Sequence, residues 1–136
     1  MRVDLALLAD YATADQMDKL VLAGVFRALF ARSIPFKHPT MFLALTITIE
    51  GDDRGDHDVT VRLIDPDGHN VIPDLQAELK VDRVDPGRDS AVNLILGMNN
   101  VEFQSSGTHC FDIFLDGRFM DRVPLEVALI RAAPGS

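Results

Sequence analysis

The side chains that could do chemistry in this 136-residue chain are one cysteine, four histidines and twenty-one acidic residues. Cys110 adjoins His109, and these two residue types make up a cysteine–histidine dyad. Neighbouring residues on a strand point to opposite faces, so we expect that the two cannot share a proton. The histidines at positions 38, 57, 69 and 109 lie in separate segments and show no zinc-binding spacing. The sequence therefore predicts no catalytic residue, no cofactor and no enzyme activity.

Many of the aspartates lie in turns. In an antiparallel fold alternate loops emerge at the same end, which would bring together Asp15, Asp18, Asp52, Asp53, Asp56, Asp85, Asp89 and Asp116. Calcium requires several converging oxygen ligands, and the candidate ligands in these loops are Asp52, Asp53, Asp56, Asp85 and Asp89. The spacing at positions 52, 53 and 56 matches no defined calcium loop, so we expect a solvated acidic rim without metal. Binding of calcium or a small ligand at this acidic end is the alternative.

Apolar residues alternate with polar ones through most of the chain, and this period of two predicts antiparallel strands. The clearest segment is 107–127, in which alternation on both sides of Asp116-Gly117 indicates a hairpin. Further alternating segments, separated by turns rich in Gly, Pro and Asp, lie at 3–9, 41–49, 59–63, 75–81 and 92–98. The prediction is an all-β, antiparallel β-sandwich of seven or eight strands, immunoglobulin-like or jelly-roll-like. Residues 1–131 would form a single domain and 132–136 a flexible tail.

Residues 14–31 allow two interpretations. Their content of Leu, Ala, Met and Arg, after a capping-box pattern that starts at Thr13, favours a helix. Gly24, which stands beside Val21, Val25 and Phe26, and the prolines that follow favour strands instead. From the residues alone, helix and strand remain open.

Four motifs are similar to those of an uncharacterised family of small bacterial β-sandwich proteins, a domain of unknown function. They are Asp-Tyr-Ala followed by Lys-Leu-Val-Leu-Ala-Gly-Val-Phe, then Ile-Pro-Phe-Lys-His-Pro, then Leu-Ile-Asp-Pro-Asp-Gly, and a closing Gly-Thr-His-Cys-Phe-Asp-Ile-Phe-Leu-Asp-Gly. The resemblance covers most of the chain and implies that residues 19–27 form a strand. It implies no activity, cofactor or catalytic residue. His109 stands where the family pattern would have an inward-facing tyrosine.

The formal net charge is −8, and the chain contains no tryptophan. A phosphate-binding surface must be basic, so we expect neither nucleic acid nor an anionic membrane as a partner. No apolar run approaches the ~20 residues of a membrane span. The single cysteine forms no intrachain disulfide and fits a reducing compartment, so the predicted location is cytoplasmic.

The strand parity also predicts an interface. If odd residues of the 41–49 strand face the core, Phe42 and Ala44 point outward, and so does Phe114 in the next-to-last strand. Outward apolar area usually marks an interface. The predicted function is a non-enzymatic binding or assembly module, with a protein partner or a twofold homodimer formed through the face that carries Phe42 and Phe114. In the alternative, a loop or the 20–31 segment covers these side chains within the monomer.

Overall fold

The computed structural model describes residues 1–51, 53, 55–81 and 89–130, and strands dominate them. The nine strands are β1 (Arg2–Ala14), β2 (Leu20–Phe26), β3 (Ala28–Ala31), β4 (Phe36–Ile49), β5 (Gly55–Ile64), β6 (Leu75–Val81), β7 (Ser90–Phe103), β8 (Gly107–Leu115) and β9 (Arg118–Leu129). Within these ranges no helix has the length and hydrophobicity needed to cross a bilayer. The predicted count of seven or eight strands is wrong by one or two. The tail predicted at 132–136 lies outside the described residues.

The strands form two sheets that pack face to face. Sheet 1 has the order β2-β1-β4-β7, and sheet 2 has the order β3-β9-β8-β5-β6. All described neighbours are antiparallel except β3 and β9, which run parallel. Strand β1 takes the place of A in an immunoglobulin-like sandwich, β4 to β9 take the places of B, C, C′, E, F and G, and β2 is an additional strand beside β1. The predicted all-β sandwich is confirmed, in its immunoglobulin-like variant.

The core between the sheets follows the predicted alternation. On β4 the inward residues are completely buried: Met41, Leu43, Leu45, Ile47 and Ile49. They meet side chains of β5, β8 and β9 that are at most 2% exposed: Val59, Val61, Leu63, Phe111, Ile113, Leu115, Leu125 and Val127. The two sheets thus share one apolar core, whose burial is the main source of stability.

Residues 20–31 form strands and not a helix, which confirms the implication of the resemblance. The segment splits at Arg27, because the chain leaves sheet 1 after β2 and joins sheet 2 as β3. The carbonyl oxygen of Arg27 accepts a hydrogen bond from the Glu126 backbone N–H at 3.0 Å, which fixes the crossing point. Pairing with β1 and β9 outweighs the helix propensity of the segment, since that propensity is worth only tenths of a kcal/mol per residue, about 0–0.7.

Candidate interaction surface

The outer half of the β1–β2 hairpin, residues 10–24, leaves sheet 1. Strand β1 pairs with β4 only as far as Ala9, whereas its pairing with β2 continues to Ala14. At the point of departure Gly24 has φ +70° and stands opposite Asp10; a Cβ at Gly24 would collide with the Asp10 carboxylate. A residue with a side chain would therefore meet both backbone strain and a collision at this bend.

The turn of this hairpin is anchored on the outer face of sheet 1. The Asp15 carboxylate accepts the backbone N–H groups of Met17 and Lys19 at 2.8 and 2.9 Å, which holds the turn in shape. The Asn93 side-chain amide donates to the backbone carbonyl of Asp18 at 2.7 Å. Asn93 also accepts the Thr46 hydroxyl hydrogen bond at 2.8 Å, so the contact is on the side of sheet 1 away from the core. The hairpin therefore lies over that outer face.

This arrangement answers the prediction for Phe42 and Ala44. Ala44 pairs with Leu7 and Ile95 across sheet 1 and has no accessible surface, so its proposed part in an interface is wrong. Phe42 is half-buried, and its ring packs edge-on against Tyr11 with centroids 5.7 Å apart. Tyr11 of β1 therefore covers part of Phe42 within the monomer, whereas the alternative named a loop or the 20–31 segment.

Phe114 lies on the other sheet. It belongs to β8 in sheet 2, so Phe42 and Phe114 do not share a face, and the prediction of one face that carries both is wrong. Parity alone could not assign strands to sheets. Phe114 is half-buried: the Arg62 guanidinium stacks on its ring at 5.2 Å, and Phe119 packs edge-on at 5.9 Å. Whether Phe114 contacts a partner stays a prediction.

Two arginine–aspartate pairs surround Phe114, and nothing in the sequence identified them. Arg122 donates from Nε and Nη2 to the Asp112 carboxylate at 2.7 and 3.1 Å. Arg62 donates likewise to Asp74 at 3.2 and 3.0 Å. Both geometries are bidentate, the strong form of this contact. Arg122 of β9 pairs with Asp112 of β8, and Arg62 of β5 pairs with Asp74 in the β5–β6 connection, so both arginines are engaged by acids of this chain.

Half of the exposed large apolar side chains in the described part of the chain belong to the hairpin. Eight large apolar side chains of the described residues are exposed, and four of them belong to this hairpin: Tyr11 (54%), Met17 (78%), Val21 (45%) and Val25 (51%). Tyr11 pairs with Ala23 across the two strands, and Val21 and Val25 flank Ala23 on β2, so the side chains are neighbours. We call Tyr11, Met17, Val21, Ala23 and Val25 the hairpin surface. The sequence does not predict this surface, because strand parity alone indicates that the outer face of sheet 1, and not the hairpin above it, is exposed.

The acidic end forms in part as predicted. Residue pairs Ile49–Ser90, Gly55–Val81 and Val59–Leu115 place the ends of β4 and β6, the starts of β5 and β7, and the β8–β9 turn at one end of the sandwich. That end includes Asp53, Asp56, Asp89 and Asp116; Asp52 and Asp85 lie outside the described residues. Asp15 and Asp18 do not join it, because their turn lies over the outer face of sheet 1.

Two of these aspartates are occupied by cationic groups of the same chain. His57 donates from Nδ1 to the Asp116 carboxylate at 2.7 Å and from Nε2 to the Asp53 backbone carbonyl at 3.0 Å. Both partners of His57 accept hydrogen bonds, so the doubly protonated imidazolium satisfies both contacts. The hydrogen bond to Asp116 raises the pKa of His57. The bond from His57 in turn lowers the pKa of Asp116. The Asp53 carboxylate accepts the Met1 amino group at 2.8 Å.

In the described part of the chain, one group of three potential metal ligands lies close together, and it is at the other end of the sandwich: Asp65, Asp67 and His69. The Asp65 carboxylate there accepts the backbone N–H groups of Asp67 and His69 at 2.9 and 2.8 Å. Its oxygens therefore shape the turn after β5. Asp53, Asp56 and Asp89 do not form such a group.

The neighbours His109 and Cys110 point to opposite sides of sheet 2, as predicted. His109 is completely buried; its Nδ1 donates to the Gly107 carbonyl at 3.0 Å and its ring meets Phe103 edge-on at 5.1 Å. Cys110 lies half-buried on the outer side beside Pro124. His109 thus occupies the corner position that a tyrosine fills at the start of strand F in immunoglobulin domains, with a comparable bond to the backbone.

Comparison with models of protein families shows to which family the chain belongs. The model for a family of unknown function, DUF6941, matches residues 4–128. The chain belongs to the DUF6941 family. The match runs from within β1 to within β9, so the DUF6941 domain is the whole sandwich, hairpin included. The resemblance to an uncharacterised family of β-sandwich proteins is confirmed, and its bacterial origin stays a prediction.

Among solved structures, this DUF6941 protein is similar to an immunoglobulin-like protein from Pseudomonas aeruginosa. The two are 14% identical, the alignment covers 93% of this chain and 94% of that chain, and the TM-score is 0.45. No curated protein matches the chain. Membership of DUF6941 assigns no activity, so the function has to be argued from the surface.

Proposed function

We propose that this protein is a non-enzymatic protein-binding module that binds its partner through the hairpin surface. The observation that supports this is the concentration of four exposed large apolar side chains on one hairpin, Tyr11, Met17, Val21 and Val25. Full burial of a Val or Met side chain contributes roughly 1.5–3 kcal/mol, and the half-exposed side chains here would gain about half of that on binding. Such an area on a soluble domain usually serves recognition.

The position of the surface suits binding. The Asn93–Asp18 hydrogen bond and the Asp15 turn hold the hairpin in place before a partner arrives. A preformed surface loses little conformational entropy on binding, which favours affinity. Tyr11 adds an amphipathic ring of the kind enriched at binding sites.

The charge near the hairpin indicates the chemistry of the partner. Asp15 and Asp18 flank Met17, and Lys19 is already paired with Asp15 at 3.7 Å. The chain as a whole carries a net charge of −8. A protein with an apolar strip bordered by Lys and Arg complements both features, since opposite charges accelerate encounter and exclude wrong partners.

The test compares wild type with Tyr11→Ser/Val25→Ser, which removes apolar area without adding charge. Phe30→Ser is the matched control, because Phe30 is 64% exposed on β3 in the other sheet. Each protein is used as bait in a lysate of the native host, and a retained protein is then purified and titrated by calorimetry. We expect one protein that binds wild type and Phe30→Ser and binds the double variant at least tenfold more weakly. The proposal is wrong if wild type retains no protein, or if its partner binds the double variant equally well.

The alternative, calcium binding at the acidic end, has less support. Asp116 and Asp53 each accept a cationic group of the chain at 2.7–2.8 Å, so a metal would have to displace His57 or the Met1 amino group. Displacement of either group would break the ion pair that it makes with its aspartate.

A further inference from the structure

The outer edge of β7 is unprotected. Within the described residues β7 pairs only with β4, and it does so in one constant register from Phe36–Phe103 to Ile49–Ser90. Its residues 90–101 include no charged residue and no proline. An edge of this kind presents unpaired backbone N–H and C=O groups that another strand can bind.

The other outer strands of the described chain carry features that discourage pairing. Strand β6 bears Glu78 and Lys80, and β3 has only four residues. Strand β2 bends where Gly24 has φ +70°. Natural proteins protect exposed edges with charges, short strands and bends. Strand β7, in contrast, has fourteen residues and carries no charge from Ser90 to Val101; Glu102 and the positive φ of 53° at Asn100 lie towards its far end.

The inward side chains of β7 are also incompletely covered. Val92, Leu94 and Leu96 face the core yet remain half-buried, whereas the inward residues of β4 beside them are completely buried. Strand β6 is the nearest outer strand of sheet 2, and it has seven residues against fourteen in β7. Apolar side chains therefore remain open along the same edge that offers the backbone groups.

We propose that two copies of this chain pair through β7, with the two β7 strands antiparallel about a twofold axis. Sheet 1 of one copy and sheet 1 of the other would then form one continuous eight-stranded sheet. An antiparallel pair of identical strands is self-complementary, as a closed dimer requires. The uncharged edge allows two chains of net charge −8 to approach without close charge repulsion at the contact. Partner copies of Leu94 and Leu96 would cover the open apolar side chains.

The size of the contact sets its strength. Twelve residues of strand, about 40 Å long at ~3.4 Å per residue, with a sheet about 10 Å thick, give about 400 Å² per copy. The total of about 800 Å² is below that of a permanent dimer, which exceeds ~1,200 Å². The pairing is therefore weak and depends on concentration.

The first experiment is sedimentation equilibrium across a hundredfold concentration range up to the millimolar region. We expect the mean mass of wild type to rise from 15.0 kDa towards twice that value. Leu96→Lys places a charge on the edge and is expected to stay monomeric. The controls are Ala77→Lys, the same change on β6, and Tyr11→Ser/Val25→Ser on the hairpin surface; both should dimerise as wild type does. A monomeric wild type, or loss of dimer in either control alone, overturns the proposal.

A second experiment remains informative if Leu96→Lys fails to fold. In a Cys110→Ser background, single cysteines replace each residue from 92 to 97, and Glu78→Cys on β6 is the control. A twofold antiparallel pair brings only the residues at the axis close to their own copies, within disulfide range. We expect covalent dimers at one or two adjacent positions. Equal crosslinking at all positions, or none above the Glu78→Cys control, contradicts the pairing.

Discussion

His57 is held by two acceptors at the acidic end, Asp116 and the Asp53 carbonyl, and its side chain is only 11% exposed. The free energy of unfolding therefore depends on whether the His57 ring is protonated. Its pKa is raised, so the contribution is fully present below the unfolded value of about 6.5 and is lost as the pH rises through the higher folded value.

We expect Asp116→Asn to lower stability more at pH 5.5 than at pH 8.5. Asn tolerates the positive φ of 51° at this position and can still accept the Asp58 N–H, so the change removes mainly the charge. Urea unfolding at a series of pH values measures the difference, and NMR titration should show the pKa of His57 falling towards its ordinary value. A difference that does not vary with pH would show that His57 is neutral in the folded state.

The bend of the hairpin gives a second residue-scale prediction. Gly24→Ala should cost about 1–2 kcal/mol for the left-handed backbone and more for the contact with Asp10. Gly117→Ala is the matched control, since its φ is +77° and nothing lies within 4 Å of the added Cβ. Denaturant midpoints should place Gly24→Ala below Gly117→Ala, and Asp10→Ala should remove the excess. Equal costs for the two glycines would refute the role of Asp10.

At the scale of elements, the edge of β9 illustrates how the sandwich limits unwanted pairing. Among the described residues β3 pairs with residues 126–129 alone, so no described strand pairs with that side of the earlier part of β9, which we call its free side. The Glu126 N–H points to β3, and alternate residues share a direction, so Pro124, which lacks an N–H, faces that free side. The Arg122 N–H is accepted by the Asp121 carboxylate at 2.8 Å. The free side of β9 therefore presents few backbone N–H groups to which another strand could bind.

Pro124→Val restores an N–H on this side and should raise the rate of aggregation without loss of the fold. Light scattering during incubation below the melting temperature measures the rate. Pro73→Val, at an exposed proline between β5 and β6, is the control and should behave as wild type. If both variants aggregate alike, the free side of β9 is not the cause.

The sequence predicts the elements that depend on local pattern. The 107–127 hairpin is present, with positive φ at both Asp116 and Gly117, because alternation and turn residues are local signals. The residues alone do not decide between helix and strand for 20–31, and strand parity wrongly places Ala44 on an exposed face. Both outcomes depend on contacts with distant strands. The His57–Asp116 bond likewise joins residues 59 positions apart through the β5–β8 register. No spacing rule contains that information.

At the scale of the whole molecule, the net charge of −8 is not distributed evenly. Acidic connections meet at one end, but Asp53 and Asp116 there are neutralised by groups of the same chain. The acidity therefore favours solubility and charge steering of a partner more than it builds an ion site.

We expect millimolar calcium to leave the melting temperature unchanged relative to magnesium at equal ionic strength. A real site at a hundredfold excess over its Kd would add about 2.7 kcal/mol. Scanning calorimetry of wild type and Asp52→Asn/Asp53→Asn makes the comparison. A stabilisation by calcium that the double variant abolishes would establish the acidic end as a calcium site after all.

The crossing at Arg27 has a consequence for the order of folding. It places β3 beside β9, so the pairing of Leu29 with Val127 encloses nearly a hundred residues in one loop, 98 by position. Closing so long a loop is entropically slow, whereas the β8–β9 hairpin closes locally. Strand β3 should therefore join the sheet after the rate-limiting barrier.

In stopped-flow chevron plots, Leu29→Ala should accelerate unfolding and leave the folding rate unchanged, while Leu115→Ala, beside the hairpin turn, should slow folding. A folding rate reduced by Leu29→Ala would mean that the sandwich closes early.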